Sequence, residues 1–404
     1  MKTSRRSFLE ATLTLPALLE ATPALAEAPR DAARAASKDS SFDPWVEIHR
    51  ENVRNNVQEI SRRVEARPIL AVIKNNGYGM GVANVAQLLE PQSEIFGFAV
   101  VKFHESMSLR DAGIRKPVLL MGPFDEKNLE EAAARDIMPM VYTSLGPLLD
   151  KIATKLQKPI ALHICVDTGI GRVGVPYYQA EPLIRDLAGR KSAQIRGTMM
   201  TFAEDMEFDK EQLRRFQETC EALEKEGVAL GKKHAASSFT LFQHPDAFLD
   251  MVRPGMAIYG IYSENEFRGA GVMDLRPAIS VKTRVAYVKK LWKGDSAGYN
   301  RAYRAKEEVW VATLPVGHAD GWPRTAAKGA KVRINGEMFP VIASVSASHC
   351  IVEIGREERV KIGDTATLFD GQQGSRPEDV SEACGASVYD LTMHLNALLP
   401  RRMV

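Results

Sequence analysis

The sequence predicts an α/β protein built as an N-terminal (β/α)8 TIM-type barrel followed by a C-terminal mainly-β domain. Between about residues 69 and 261, short apolar β-prone runs alternate with amphipathic helical stretches, the pattern of βα units repeated around a parallel sheet. After about residue 275 the texture changes to strands joined by tight turns, which marks a second domain. The 404 residues, 45% of them hydrophobic, are enough to bury a large core in one or two domains.

Taken in order, the expected barrel strands are "ILAVIK", "IFGFAV", "PVLLMG", "MPMVYT", "IALHICVD", "IRGTMMTF", "KHAAS" and "AIYGI". Eight strands are what a closed barrel needs. Between them, "EKNLEEAAARD" and "KEQLRRFQETCEALEKEG" place apolar residues at spacings of three and four with charges elsewhere, as helices with one buried face do. The region from Arg268 to Pro277 is rich in Gly and polar residues and separates the expected domains, 43–270 and 275–404. Beyond it, "AISVKTRVAYVKKL", "VWVATLPVG", "KVRINGEMFPVIASVSA" and "ERVKIGDTATLF" read as strands. Asn335-Gly336 is a hairpin signal, because both positions of the tightest turn need positive φ.

Lys and Arg together number 53 against 51 Asp and Glu, with no long basic block, so the electrostatic footprint of a nucleic-acid binder is absent. A small-molecule partner is expected instead. The first 26 residues stand apart: "SRRSFLE" and the mildly apolar "ATLTLPALLEATPALA" look like a twin-arginine export signal, with Arg5 and Arg6 as the pair and Ala24-Leu25-Ala26 before the cleavage point. A periplasmic or secreted location is expected, with no membrane association once the signal is removed. The four cysteines are scattered without C-x-x-C or zinc-like spacing, so no metal site is expected and no disulfide pairing can be deduced.

"AVIKNNGYGM" ends an apolar strand in Lys74, just before a glycine-rich turn carrying Tyr78. In a barrel, reactive residues gather at the C-terminal strand ends. A lysine there is desolvated, which favours the neutral amine that nucleophilic or base chemistry requires.

"AVIKNNGYGMG" resembles the segment of the alanine racemases, pyridoxal 5′-phosphate enzymes of the barrel type, whose lysine forms a Schiff base with the cofactor. "WVEIHRENVRNNV", "GFAVVKFHESMSLRDAGIRKPVLLMG", "HICVDTGIGRVG", "VRPGMAIYG", and "GYNRAY" with "VATLPVGHADGWPR" resemble further family segments and follow in family order. Together these matches are specific where each alone is weak.

The resemblance implies pyridoxal 5′-phosphate as cofactor, amino acids as substrates, and racemisation by two bases, Lys74 and Tyr299. Tyr78, Ser237 or Ser238, and the backbone of Gly255 and Met256 would cradle the phosphate, glycine permitting close approach. Arg172 would hold the phenolic oxygen of the cofactor. Arg253 would face its ring nitrogen; a guanidinium stays protonated and so leaves that nitrogen neutral, while His234 would support Arg253 from behind. In the family the second base comes from the partner subunit, so a homodimer with shared sites is implied.

Departures from the family pattern cluster around the substrate pocket. Cys165 stands where many members carry a lysine that braces the arginine matching Arg172. Thr201 replaces a histidine, and Ala347 and Ser348 replace a methionine and an aspartate of the pocket wall, near Tyr303. Met403 stands where a tyrosine usually adds a phosphate contact. These changes point to a roomier site and to a racemase not strictly specific for alanine, in keeping with exported broad-specificity relatives. The alternatives are a pyridoxal-phosphate lyase or aldolase on the same scaffold, or a catalytically impaired cofactor-binding homologue.

Overall fold

The computed structural model describes residues 41–404; the expected signal peptide, 1–26, lies outside them. Seven parallel strands form a curled sheet in chain order: Ile69–Val72, Ile95–Val100, Val118–Leu120, Ile137–Val141, Ile160–Asp167, Ala193–Met199 and Lys232–His234. Each is followed by helix or turn, and the first five strands are nearly continuous buried, mostly apolar runs because both faces are covered. Two of the barrel helices start at an aspartate whose side chain satisfies one of their first N–H groups. Asp125 accepts from the Asn128 N–H at 2.7 Å and Asp205 from that of Phe208 at 3.0 Å.

The sheet closes differently from expectation. "AIYGI" is not the eighth strand: Met256–Tyr259 is a 3-10 turn ended by Gly260 at φ +73°. Closure falls a few residues earlier, where Leu70 N–H donates to the Val252 carbonyl and Val72 N–H to that of Pro254, both at 2.9 Å. The turn follows Pro254-Gly255 directly, with Ile258 N–H donating to the Gly255 carbonyl at 3.0 Å, and redirects the chain as a continued strand could not.

The second sheet has the order Tyr287–Leu291, Val309–Leu314, Cys350–Gly355, Glu337–Ile342, Lys331–Ile334, Thr365–Phe369, Ile279–Arg284, Trp45–Ile48, Arg401–Met403. The Asn-Gly hairpin forms as expected, pairing Ile334 with Glu337 across Asn335 at φ 51° and Gly336 at φ 85°. Strand Cys350–Gly355, which turns Cys350, Val352 and Ile354 inward, was not among the expected ones. Nor was the place of Trp45–Ile48: it precedes the barrel in sequence but pairs antiparallel with Ile279–Arg284 and parallel with Arg401–Met403.

Both ends of the described chain therefore meet in one sheet. The apolar core runs without a break from Val57, Ile69 and Phe98 in the barrel to Val281, Val352 and Leu368 in the second sheet.

Candidate active site

A cavity of about 680 Å³ opens at the C-terminal ends of the barrel strands. Lys74, Tyr78, Cys165, Arg172, Thr201, Ser237, Ser238, Arg253, Gly255 and Met256 all line it, so ten of the residues picked from the sequence meet in one place.

Lys74 leaves the first barrel strand into a turn of left-handed backbone, with Asn75, Asn76, Gly77 and Tyr78 at φ 53°, 56°, 62° and 54°. For L-residues that conformation costs roughly 1–2 kcal/mol each, least for Gly and Asn, which explains "NNG". The turn swings Tyr78 back so that its hydroxyl packs against the Cα of Gly255, where any Cβ would collide with it. Burial pushes the Lys74 ammonium below its ordinary range, and the nearby Arg172 guanidinium pushes the same way, against the smaller pull of Glu105. Both effects shift the balance from ammonium towards the neutral amine.

Arg172 sits on the loop after the fifth barrel strand. That loop is an Asx turn: Asp167 Oδ1 accepts from Gly169 N–H at 2.9 Å and Gly171 N–H at 3.2 Å. Arg253 is almost wholly buried with neutral partners only, donating to His234 Nδ1 at 2.9 Å and to the carbonyls of His234 and Met200 at 2.7 Å. Desolvation draws its pKa down to about 10, still protonated at neutral pH. His234 therefore stands behind Arg253 as expected. Behind it in turn lies a residue the sequence reading missed, His163, whose Nδ1 is 2.8 Å from His234 Nε2.

The tautomers follow from this chain of contacts. Arg253 only donates, so His234 Nδ1 accepts and its Nε2 carries the proton, which it gives to His163 Nδ1. Burial and the Arg253 charge hold both imidazoles neutral, His163 pushed down to about 3 and His234 well below its usual range. Strand alternation held the signal, since residues 163 and 165 share one face.

The expected phosphate cradle is modified in one respect. Gly255 N–H does not point free into the cavity; it donates to Ser238 Oγ at 2.9 Å, as does Ala257 N–H at 3.1 Å. With both amides accepted there, the Ser238 hydroxyl proton is left to donate outward. Ser237 Oγ lies 3.4 Å from Glu204 Oε1 and 3.3 Å from Thr240 Oγ1. Hydroxyls of Tyr78, Ser237 and Ser238, a bare glycine Cα and two guanidinium groups suit a phosphorylated, anionic aromatic ligand, so the residues present fit pyridoxal phosphate.

Cys165 lines the cavity but is packed, with Sγ 3.6 Å from the Val173 carbonyl and its thiol pushed up to about 11 by burial. Tyr299, Tyr303, Ala347 and Ser348 do not line the cavity of their own chain. Tyr299 is 75% exposed, and the Tyr303 hydroxyl donates to Glu353 Oε2 at 2.6 Å. Met403 is likewise elsewhere, paired with Ile48 at the sheet edge. Among the lining residues that the sequence did not single out are Tyr389, whose ring centroid lies 6.5 Å from that of Tyr78, and Glu204, whose carboxyl burial raises above the usual range. Nothing in "SVYDLT" marks Tyr389 as a site residue.

Comparison with known proteins gives a consistent result. Residues 48–263 match the family model "Alanine racemase, N-terminal domain" and 278–403 match "Alanine racemase, C-terminal domain". An alanine racemase of Clostridium tetani is 30% identical over 366 residues, 88% of this chain and 94% of the relative. One of Methanococcus maripaludis is 32% identical over 367 residues, 88% of this chain and 97% of the relative. The solved alanine racemase of Clostridium difficile 630 superposes with a TM-score of 0.83 at 28% identity, covering 89% of this chain and 95% of that one. That of Bacillus anthracis with bound L-Ala-P gives 0.81 at 29%, covering 90% and 95%.

Proposed function

The chain belongs to the alanine racemase family and is a pyridoxal 5′-phosphate-dependent amino-acid racemase, an isomerase; from that premise we propose that it acts as a homodimer with shared sites, on amino acids not confined to alanine. The observation that carries the reading is the gathering of Lys74, Arg172 and Arg253 around one cavity while Tyr299 stands exposed away from it.

In this reading residues 43–270 hold the cofactor and 275–404 supply Tyr299 to a neighbouring copy. Tyr78 and Ser238 would donate to the phosphate, Arg172 to the phenolic oxygen and Arg253 to the ring nitrogen. When bound, the cofactor draws electron density from the amino acid's Cα and so acidifies its proton. Lys74, its pKa lowered, takes or returns that proton on one face, and the hydroxyl of Tyr299 from a second copy does so on the other. Because Arg253 gives hydrogen bonds and keeps its own protons, it favours prompt return of the proton over side reactions.

Smaller groups at Thr201, Ala347 and Ser348, and the uncharged Cys165 beside Arg172, support a wider side-chain range. Proton exchange at Cα in heavy water, run on a panel of L- and D-amino acids with chiral analysis, tests this: exchange with inversion across several side chains is expected. Exchange with retained configuration, or loss of the amino acid to an aldehyde or keto acid, would move the assignment to a lyase.

The "SRRSFLE" segment supports export through the twin-arginine route to the periplasm or medium. Replacing Arg5 and Arg6 by lysine should retain the protein in the cytoplasm; unchanged fractionation would overturn the proposal.

A further inference from the structure

The left-handed turn that delivers Tyr78 to the phosphate cradle is strained, and strained backbone persists only where its surroundings over-determine it. Its two ends meet opposite charges. At the donor end, Asn76 N–H is held at 2.7 Å by Oε1 of the buried Glu105, whose Oε2 takes Lys102 N–H at 3.2 Å. At the acceptor end, Arg401 spans 322 residues of sequence to place Nε at 3.1 Å and Nη2 at 2.8 Å from the Gly79 carbonyl.

Arg401 is unusual in its other partners as well. Its Nη1 donates to the carbonyls of Asn396 and Ala397 at 2.8 Å and of Leu399 at 2.5 Å. It has no carboxylate partner among the described residues, and desolvation lowers its pKa. A half-buried cation devoted to main-chain carbonyls is a positioning device rather than a surface ion pair. The same C-terminal segment closes on the turn at two more points. A Cβ on Gly79 would collide with the Thr392 carbonyl, and Tyr389 packs near the Tyr78 ring.

We propose that Arg401 and Glu105 act as a two-charge clamp that holds the left-handed turn, and with it the Tyr78 hydroxyl, in register with the phosphate of the cofactor. Both are positioning residues, since neither lines the cavity. The inference rests on the cofactor reading above. It makes the last residues of the second sheet a determinant of cofactor retention in the barrel of the same chain.

A role through Tyr78 is separable from a general structural one, because only the former is specific for the phosphate. Equilibrium binding of pyridoxal 5′-phosphate and of pyridoxal, which lacks the phosphate, is to be measured on the full-length enzyme and on Arg401→Met, Arg401→Lys, Glu105→Gln, Tyr78→Phe and the double variant Arg401→Met/Tyr78→Phe. Arg401→Met is expected to weaken pyridoxal phosphate binding about tenfold and pyridoxal binding less than twofold. Arg401→Lys should fall between, and the double variant should be no weaker than Tyr78→Phe alone, since coupled residues do not add.

Amide exchange supplies a readout independent of any ligand. The turn's N–H groups at Gly79, Met80 and Gly81, bonded to the carbonyls of Asn75, Gly77 and Asn76, should exchange faster in Arg401→Met, or in Arg401→Lys should Arg401→Met fail to fold. Equal weakening of both ligands, full additivity with Tyr78→Phe, or unchanged exchange at these amides would overturn the clamp alone. An unaltered enzyme with no preference for the phosphorylated ligand would overturn the cofactor reading and the clamp with it.

Discussion

Lys74 stands between two charges of opposite effect, and they give its titration a testable sign. Arg172 lowers its pKa and Glu105 raises it. The pH at which apoenzyme begins to react with pyridoxal phosphate, followed by absorbance, should therefore move up in Arg172→Gln and down in Glu105→Gln. A limb that stays in place in both would mean that desolvation alone sets the amine. A second residue-scale expectation concerns the imidazole pair. His163→Asn keeps an acceptor near the position of Nδ1, whereas His163→Leu leaves His234 Nε2–H buried and unpaired, at a cost of about 1–3 kcal/mol. Gly197→Ala should mimic the leucine variant while leaving both imidazoles in the sequence, because its methyl would lie 2.6 Å from His163 Nδ1 and 3.0 Å from His234 Nε2 and would force them apart. Thermal unfolding at neutral pH checks the order; a leucine variant as stable as the asparagine one would mean the pair does not brace Arg253. Because the folded pKa of His163 is pushed down to about 3 from an unfolded value near ~6.5, the unfolded chain binds more protons between those limits. That share of stability is complete above the upper limit and lost as pH falls towards the lower one, and His163→Asn should remove it. The direct ligand groups were legible because each sits in a motif whose residue types imply its chemistry. Glu105 and Arg401 act through the backbone, and no local pattern announces such contacts.

At the scale of elements, legibility followed the range of the interaction. The Asn335-Gly336 hairpin and the helices capped by Asp125 and Asp205 depend on contacts within a few residues, and they formed where expected. The eighth strand failed for a related reason. "AIYGI" has strand composition, but Gly260 at φ +73° packs so closely on the Arg276 carbonyl that the chain must turn there to enter the second sheet. Tertiary approach outweighed β propensity. This makes Gly260 the critical residue of the junction: Gly260→Ala combines a positive-φ penalty with a backbone collision. It is expected to abolish soluble expression or to lower the melting temperature by many degrees. Gly269→Ala, whose Cβ would meet nothing within 4 Å, serves as the neutral control. Equal melting temperatures for the two would show that the junction can relax.

At the scale of the whole molecule, the order of a barrel and then a β domain was legible from texture alone, but the strand that ties them was not. Trp45–Ile48 pairs with residues more than 230 positions away, and single-sequence patterns carry no information about such partners. With Lys74 in the cavity and Tyr299 exposed outside it, the two bases meet only if a second copy presents its tyrosine to the first copy's lysine. In a symmetric dimer the relation is reciprocal, so each site draws one base from each subunit. Lys74→Ala and Tyr299→Phe homodimers should then both be inactive in racemisation, while a mixture allowed to exchange subunits should regain activity. About half of the dimers in a random mixture are mixed, and each of those holds one site with both bases intact, so about a quarter of the parental activity is expected. The gain should appear at the rate of subunit exchange and vanish if the subunits are cross-linked before mixing. No recovery, in a mixture shown by mass spectrometry to contain mixed dimers, would mean that Tyr299 serves its own chain or none. A monomer at working concentration would rule out the shared site outright.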